Sequence, residues 1–269
     1  MLSRLSQLLN RPAQQRVEQV KKRCGIFCAI VLVVSMMAGW ATADLARQRL
    51  DIPWERLDLL SQQRLREVTE QAIFFRDVLG IAVKSRQPVF DFLVEHPDFA
   101  ATAGQVLGIV KYRVVQERNG VFRGDDAHGA TGTFELTYAE PGKRIYLARG
   151  TFVKRFLPTI NGRIVLVMAY EHRTDQAGED LVVNDVRGYL RIDNRILGIL
   201  ARIAKPLVGP VVDRKVLRSF SAAAKLTEAA SRDPAALYRT LEASPEINKL
   251  ELAEFRKALG CCREDAGGS

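Results

Sequence analysis

The chain has 269 residues, 47% hydrophobic and 26% charged, with a formal net charge of +9. The cations Arg4, Arg11, Arg16, Lys21, Lys22 and Arg23, against Glu18 alone, hold +5 of that charge, so the remainder lacks the concentrated basic face that a nucleic-acid partner requires. Cys24, Cys28, Cys261 and Cys262 all lie towards the ends, which excludes a disulfide scaffold between residues 44 and 260.

In chain order, Lys21-Lys22-Arg23 abuts an uncharged run over residues 24–43 that closes on Ala41-Thr42-Ala43 before Asp44. A charged start, an apolar stretch and small residues at the exit describe a secretory leader cut between Ala43 and Asp44. A membrane span needs roughly 20 apolar residues, and the same run meets that length, so an uncleaved signal anchor is the alternative. In either case the cations hold the N-terminus in the cytoplasm. The rest is expected outside it, in the periplasm or on the outer face of the inner membrane. Residues 1–23 form a basic cytoplasmic region.

Residues 51–80 have a helical pattern: Leu65, Val68, Ala72, Phe75 and Leu79 step by three and four, and Gly80 offers a left-handed stop. Residues 88–104 read as a second helical stretch, divided in two at Pro97. After Gly108 the texture is that of strands. Asn119-Gly120 is a two-residue hairpin signal, Pro141-Gly142 and Asn161-Gly162 are further turns, and residues 131–139 alternate. Five or six consecutive strands with short turns pair as an antiparallel meander. Helical spacing returns at Asp193: residues 196–203 carry a wide apolar face, Pro206 and Pro210 interrupt it, and a long helix covers about 211–230. Asp233-Pro234 and Ser244-Pro245 open two shorter helices, the second ending near Gly260.

Helices, then a meander, then a long apolar helix is the order of the helix-grip fold. The chain resembles the START-type, or SRPBCC, superfamily of hydrophobic-ligand binders over roughly residues 88–230. The resemblance rests on PVFDFLVEHPDF before the first meander strand, the NG-turned strands, and VRGYLRIDNRILGILARIAKPL across the last strand and helix. The family's first strand is not evident ahead of the early helices, where residues 80–83 are the only candidate. The fold class is therefore α+β, an antiparallel meander sheet gripping a long C-terminal helix. Extra helical segments lie at residues 44–82 and 231–260 on either side of the domain at 83–230, and residues 261–269 are a polar tail.

An antiparallel sheet leaves an apolar face that must be covered, and this chain has more apolar helix than covering requires. By alternation Phe134, Leu136, Tyr138, Tyr146, Phe152 and Leu166 face inward, as do Met168, Tyr170, Val186 and Leu190. Ile199 and Ile203 on the following helix complete a hydrophobic cavity. Most of these equally serve as plain core. Arg149 and Arg187, with Asp185 nearby, are the candidates for a polar head group. His96, His128 and His172 sit in turn or strand contexts unsuited to a shared metal, Cys261 and Cys262 are idle or intermolecular, and the G-x-S-x-G and P-loop patterns are absent. No catalytic residue, cofactor or metal is expected. The leading expectation is an exported binder or carrier of a lipid-like molecule. A non-enzymatic envelope scaffold is the alternative, and a cyclase-like enzyme on the same fold the weaker one.

Overall fold

Asp58 lies in extended backbone and its carboxylate accepts the Ser61 amide at 2.9 Å, capping helix α1, Leu59–Thr69. The chain is seen here as a computed structural model that describes residues 44–153, 155, 158–193 and 205–261. Two compact units divide it, residues 1–48 and 49–269, and every element below belongs to the second.

The helical spacing that runs on to Gly80 is overruled after Thr69, and Phe74–Lys84 is strand β1. Its backbone pairs along the last strand of the sheet, from Phe74 opposite Leu190 to Lys84 opposite Leu181. Long-range pairing of an aromatic and β-branched run outweighs a three-and-four spacing that a strand tolerates equally well. Gly80 does have positive φ, at 71°, but it belongs to the register shift between Val78 and Ile81 and is no helix stop. Its freed amide donates to the buried Asp185 carboxylate at 2.8 Å.

Helices α2, Gln87–Glu95, and α3, Pro97–Val106, meet at His96, with Pro97 in the first turn of α3. Six strands follow: β2 (Arg113–Arg118), β3 (Val121–Asp125), β4 (Ala130–Glu140), β5 (Lys143–Phe152), β6 (Ile160–Thr174) and β7 (Asp180–Ile192). The sheet order is β1-β7-β6-β5-β4-β3-β2, antiparallel throughout. Asn161-Gly162 proves not to be a turn, because both residues pair inside β6, opposite Thr151 and Gly150. Helix α4, Lys205–Arg232, contains Pro206 and Pro210 within its first turns and is not interrupted by them. Asp233 caps α5, Pro234–Glu242. Asn248 caps α6, Lys249–Leu259, so Ser244-Pro245 precedes that helix by several residues.

Register sorts the sheet's side chains onto two faces. On one, Ile145, Leu147, Val165 and Val167 are buried beneath Leu65 and Val68 of α1 and the preceding Leu50, Ile52 and Leu57. Ion pairs pin this layer: Arg187 reaches Asp77 at 2.8 Å and Asp51 at 3.0 Å, and Arg49 joins Glu171 and Asp185. On the other face, Phe90 and Val94 of α2 pack on Met168, Tyr170 and Val182. Beyond α2 and α3, Phe92, Phe99 and Phe255 form a ring cluster with centroids 5.1–5.2 Å apart, which ties the end of α4, α5 and α6 to the helical layer.

A line of glycines crosses the sheet. Gly124, Gly132, Gly150 and Gly162 stand directly opposite one another on β3, β4, β5 and β6. None has positive φ, so the requirement is spatial. A Cβ on Gly132 would lie 2.3 Å from the Arg149 carbonyl oxygen, and one on Gly150 would lie 2.8 Å from that of Thr131. Neighbouring backbones occupy the volume a side chain would take.

Candidate functional site

On the face covered by α2 and α3, register brings together Phe134, Leu136, Tyr146, Phe152, Leu166, Met168, Tyr170, Val186 and Leu190. Tyr138 does not join them. The register shift between Leu136 and Tyr138 moves it to the α1 face, opposite Ile145, where its hydroxyl donates to Glu140 at 2.8 Å. Arg149 and Arg187 also lie on the α1 face, paired in register with Arg163 and Val167. Arg187 borders neither apolar hollow of the sheet, and Arg149 meets the edge of the larger one. Arg187 is buried, engaged by Asp77 and Asp51, and stands over the Phe75 ring at 5.3 Å; it is a structural clamp. Arg149 is exposed and makes no hydrogen bond or ion pair among the described residues. Ala43, Ile199 and Ile203 lie outside the described residues.

Two hollows open along the apolar face. A cleft of about 160 Å³ lies between Met168 of β6, Phe90 and Val94 of α2, Tyr112, and Phe220 and Leu226 of α4. A second, of about 350 Å³, is walled by Val114, Phe134, Ala148 and Ile164 over the glycine line. Tyr112 borders both. Of the wall residues expected from sequence, Met168 meets the first and Phe134 the second, while Tyr170 and Val186 are buried core.

The polar groups on this face are few. The Tyr146 hydroxyl donates to the Val94 carbonyl at 3.4 Å, and burial pushes its pKa up to about 12 although the Arg144 charge works the other way. Burial likewise raises the Tyr112 and Tyr170 phenols. All three stay neutral donors. Arg144 is buried, reaches Glu95 at 3.1 Å and lies 5.9 Å from the Tyr170 ring centre. Its charge is thus already matched. Of the three phenols, Tyr112 is the one that borders the hollows, while the Tyr146 hydroxyl is committed to Val94.

Other chemistry has little footing. Asp125 and Asp126, beside His128, accept the loop amides of Ala127, His128 and Ala130 at 2.7–2.8 Å, as turn-forming carboxylates do. His172 Nε2 lies 3.4 Å from Asp91. Among the described residues no group of three or more His, Cys, Asp or Glu is placed to hold a metal ion. Among them, too, no helix is long and apolar enough to cross a membrane; the uncharged run over residues 24–43 lies outside them.

No family model and no curated protein matches the chain. Among solved structures it is similar to a conserved protein from Geobacillus kaustophilus, 12% identical, over 58% of this chain and 97% of that one, with a TM-score of 0.44. It is also similar to an uncharacterized protein from Rhizobium leguminosarum, 14% identical, over 55% of this chain and 94% of that one, with a TM-score of 0.30.

Sequence reasoning missed Tyr112, Phe90, Val94 and Phe220 as wall residues. Phe90 is legible as part of the apolar stripe of residues 88–104, since Val89, Phe90 and Leu93 fill one side of α2. Which part of that stripe meets the sheet and which meets α6 is decided by the packing of α6, whose Phe255 takes Phe92 and leaves Phe90 for Tyr170.

Proposed function

We propose that this chain binds a lipid-like or other hydrophobic small molecule on the sheet face beneath α2, α3 and α4, as a binding or carrier protein of the cell envelope. The observation that carries the reading is the pair of adjoining apolar hollows at Tyr112, about 160 and about 350 Å³. Small-ligand pockets span roughly 300–1,000 Å³ and are mostly apolar with a few placed polar groups; the larger hollow falls at the lower end of that range and the smaller one below it. The element order supports the helix-grip reading: β1, two helices, six further strands and a long helix whose Thr227 hydroxyl donates to the Lys84 carbonyl at 2.7 Å. Strand β1, Phe74–Lys84, supplies the element for which the sequence offered only the short candidate at residues 80–83. The envelope location rests on the leader-like residues 21–43 alone.

The test is retention and uptake. Full-length protein purified from two unrelated hosts is extracted with organic solvent for mass spectrometry and titrated with a fluorescent fatty acid. Co-purifying lipid and saturable uptake are expected. Ala223→Trp, which fills the cleft beside Phe220 and Leu226, should abolish uptake while far-UV circular dichroism stays unchanged. Protein free of lipid from both hosts, with no uptake, would end the proposal.

A further inference from the structure

The opposite face of the same sheet carries a groove of different chemistry. About 950 Å³ in volume, it runs between α1 and strands β2 to β6, with Val68 and Leu147 in its apolar floor and Thr131, Thr133, Thr151 and Asn161 along its walls. Arginines dominate its border: Arg64, Arg113, Arg123, Arg149 and Arg163, against Glu67, Asp125 and Asp193. We propose that this groove binds a phosphate-bearing molecule, with Arg149 and Arg113 as its principal anchors.

Register places the charges in a row. Thr133, Arg149, Arg163 and Arg191 stand directly opposite one another across β4, β5, β6 and β7. Like charges facing each other on adjacent strands repel, with Cβ atoms about 5 Å apart. One carboxylate relieves part of this. Glu67 Oε1 accepts from Arg163 at 2.8 Å and from Arg191 at 2.7 Å, and both guanidinium groups hold its pKa below the usual carboxylate range, the Arg191 hydrogen bond most. Asp193 lies 3.6 Å from Arg163 and 3.7 Å from Arg191. The remaining arginine of the row, Arg149, has no such partner among the described residues.

The other border cations divide the same way. Arg123 pairs with Glu117 and Arg64 with Glu135. Arg113 stands opposite Asp125 in register, yet Asp125 accepts the Ala127 amide at 2.7 Å and no ion pair joins the two. Arg149 and Arg113 are therefore two guanidinium groups, uncommitted among the described residues, that border one groove, with the hydroxyl of Thr133 beside Arg149 in the row. A phosphate matches the planar donor fork of arginine bidentately and would discharge the repulsion that Arg149 meets from Arg163. The source of the phosphate is either a soluble phosphate ester or a phospholipid head group.

Full-length protein is titrated calorimetrically with pyrophosphate and with glycerol 3-phosphate, and sedimented with vesicles of phosphatidylcholine with and without phosphatidylglycerol. Saturable binding is expected, weakening as salt is raised. Arg149→Gln and Arg113→Gln should each lower affinity at least about tenfold, and the exposed Arg239→Gln on α5 should not change it. Arg149 is exposed and unpaired among the described residues, so its loss leaves folding intact. Binding of the soluble phosphates assigns a metabolite. Arg149-dependent sedimentation with phosphatidylglycerol alone assigns a head group. Absence of both, or equal weakening by Arg239→Gln, overturns the proposal.

Discussion

Gly132→Ala adds one methyl where the structure leaves no volume. The new Cβ would lie 2.3 Å from the Arg149 carbonyl oxygen and 2.7 Å from Gly150 Cα, and both obstacles are backbone. Restoring an ordinary contact requires β4 and β5 to part by roughly 1 Å along a ladder paired at every position from Ala130 to Leu136. Overpacking of this kind costs about 1–3 kcal/mol, and the upper end applies because no rotamer change relieves it. The matched control is Gly188→Ala, on β7 and on the same face of the sheet, where a Cβ meets nothing within 4 Å and φ is not positive. There alanine should be neutral or add about 0.4–1 kcal/mol by restricting the unfolded chain. Urea denaturation followed by far-UV circular dichroism reads both. We expect Gly132→Ala to lose about 3 kcal/mol, a fall of about 6–12 °C in Tm, with Gly188→Ala at or above wild type. A Gly132→Ala variant within about 0.5 kcal/mol of wild type would refute close approach as the reason for the glycine line. Equal losses in both variants would refute it too.

Three further outcomes follow from the packing and the charges. Leu65→Ala, at a side chain fully buried between α1 and the sheet, should cost about 2–5 kcal/mol in the same denaturation assay, because the rigid sheet beneath it cannot collapse into the void. Asp77→Asn strands the buried Arg187 guanidinium and should cost about 3 kcal/mol, whereas Asp51→Asn, at the exposed end of the same cluster, should cost about 1 kcal/mol or less. Glu251 has its pKa raised to about 6, chiefly by burial and then by the Asp98 and Glu254 charges. A carboxyl whose folded pKa lies above its unfolded value favours folding when protonated, so its contribution is lost as pH rises from about 4.5 to about 6. Glu251→Gln should therefore gain on wild type across that window, by about 1 kcal/mol after allowance for solvent screening, read as denaturation midpoints at pH 4.5 and pH 7.

The meander was legible because its signals are local. Asn119-Gly120 and Pro141-Gly142 dictate turns through Gly120 and Gly142, which have φ of 70° and 74°, and alternation along β4 declares its two faces as far as Leu136. What stayed hidden depends on partners distant in sequence. Strand β1 pairs with β7 across 97 to 116 positions, from Lys84 opposite Leu181 to Phe74 opposite Leu190, and within its own window its spacing satisfies a helix as well as a strand. Tyr138 points the other way because one residue is skipped between Leu136 and Tyr138, and alternation counted on one strand cannot see a bulge that exists only relative to its neighbour. The arginine row escaped for the same cause: Arg149, Arg163 and Arg191 are separated by 14 and 28 positions and meet only once β5, β6 and β7 are in register.

The glycine line bears on both proposed sites, since Gly124, Gly132 and Gly150 border the arginine groove and the larger apolar hollow alike. With no side chain above or below them, the backbone alone separates the two chemistries there. One substitution can therefore uncouple them. At Gly124 an added Cβ meets the Phe134 ring at 3.7 Å and backbone no nearer than 4.0 Å, ordinary contacts that leave the fold intact. It points to the apolar side, because Gly124 is opposite Gly132 in the same register class as Phe122 opposite Phe134. Gly124→Val, whose branched side chain suits a strand, should fill part of the hollow beside Phe134 and weaken fatty-acid uptake several-fold, with pyrophosphate affinity within about twofold of wild type. Arg149→Gln should do the reverse. Parallel loss of both activities in either variant would mean that one site, read from two sides of a thin wall, accounts for what is described above as two.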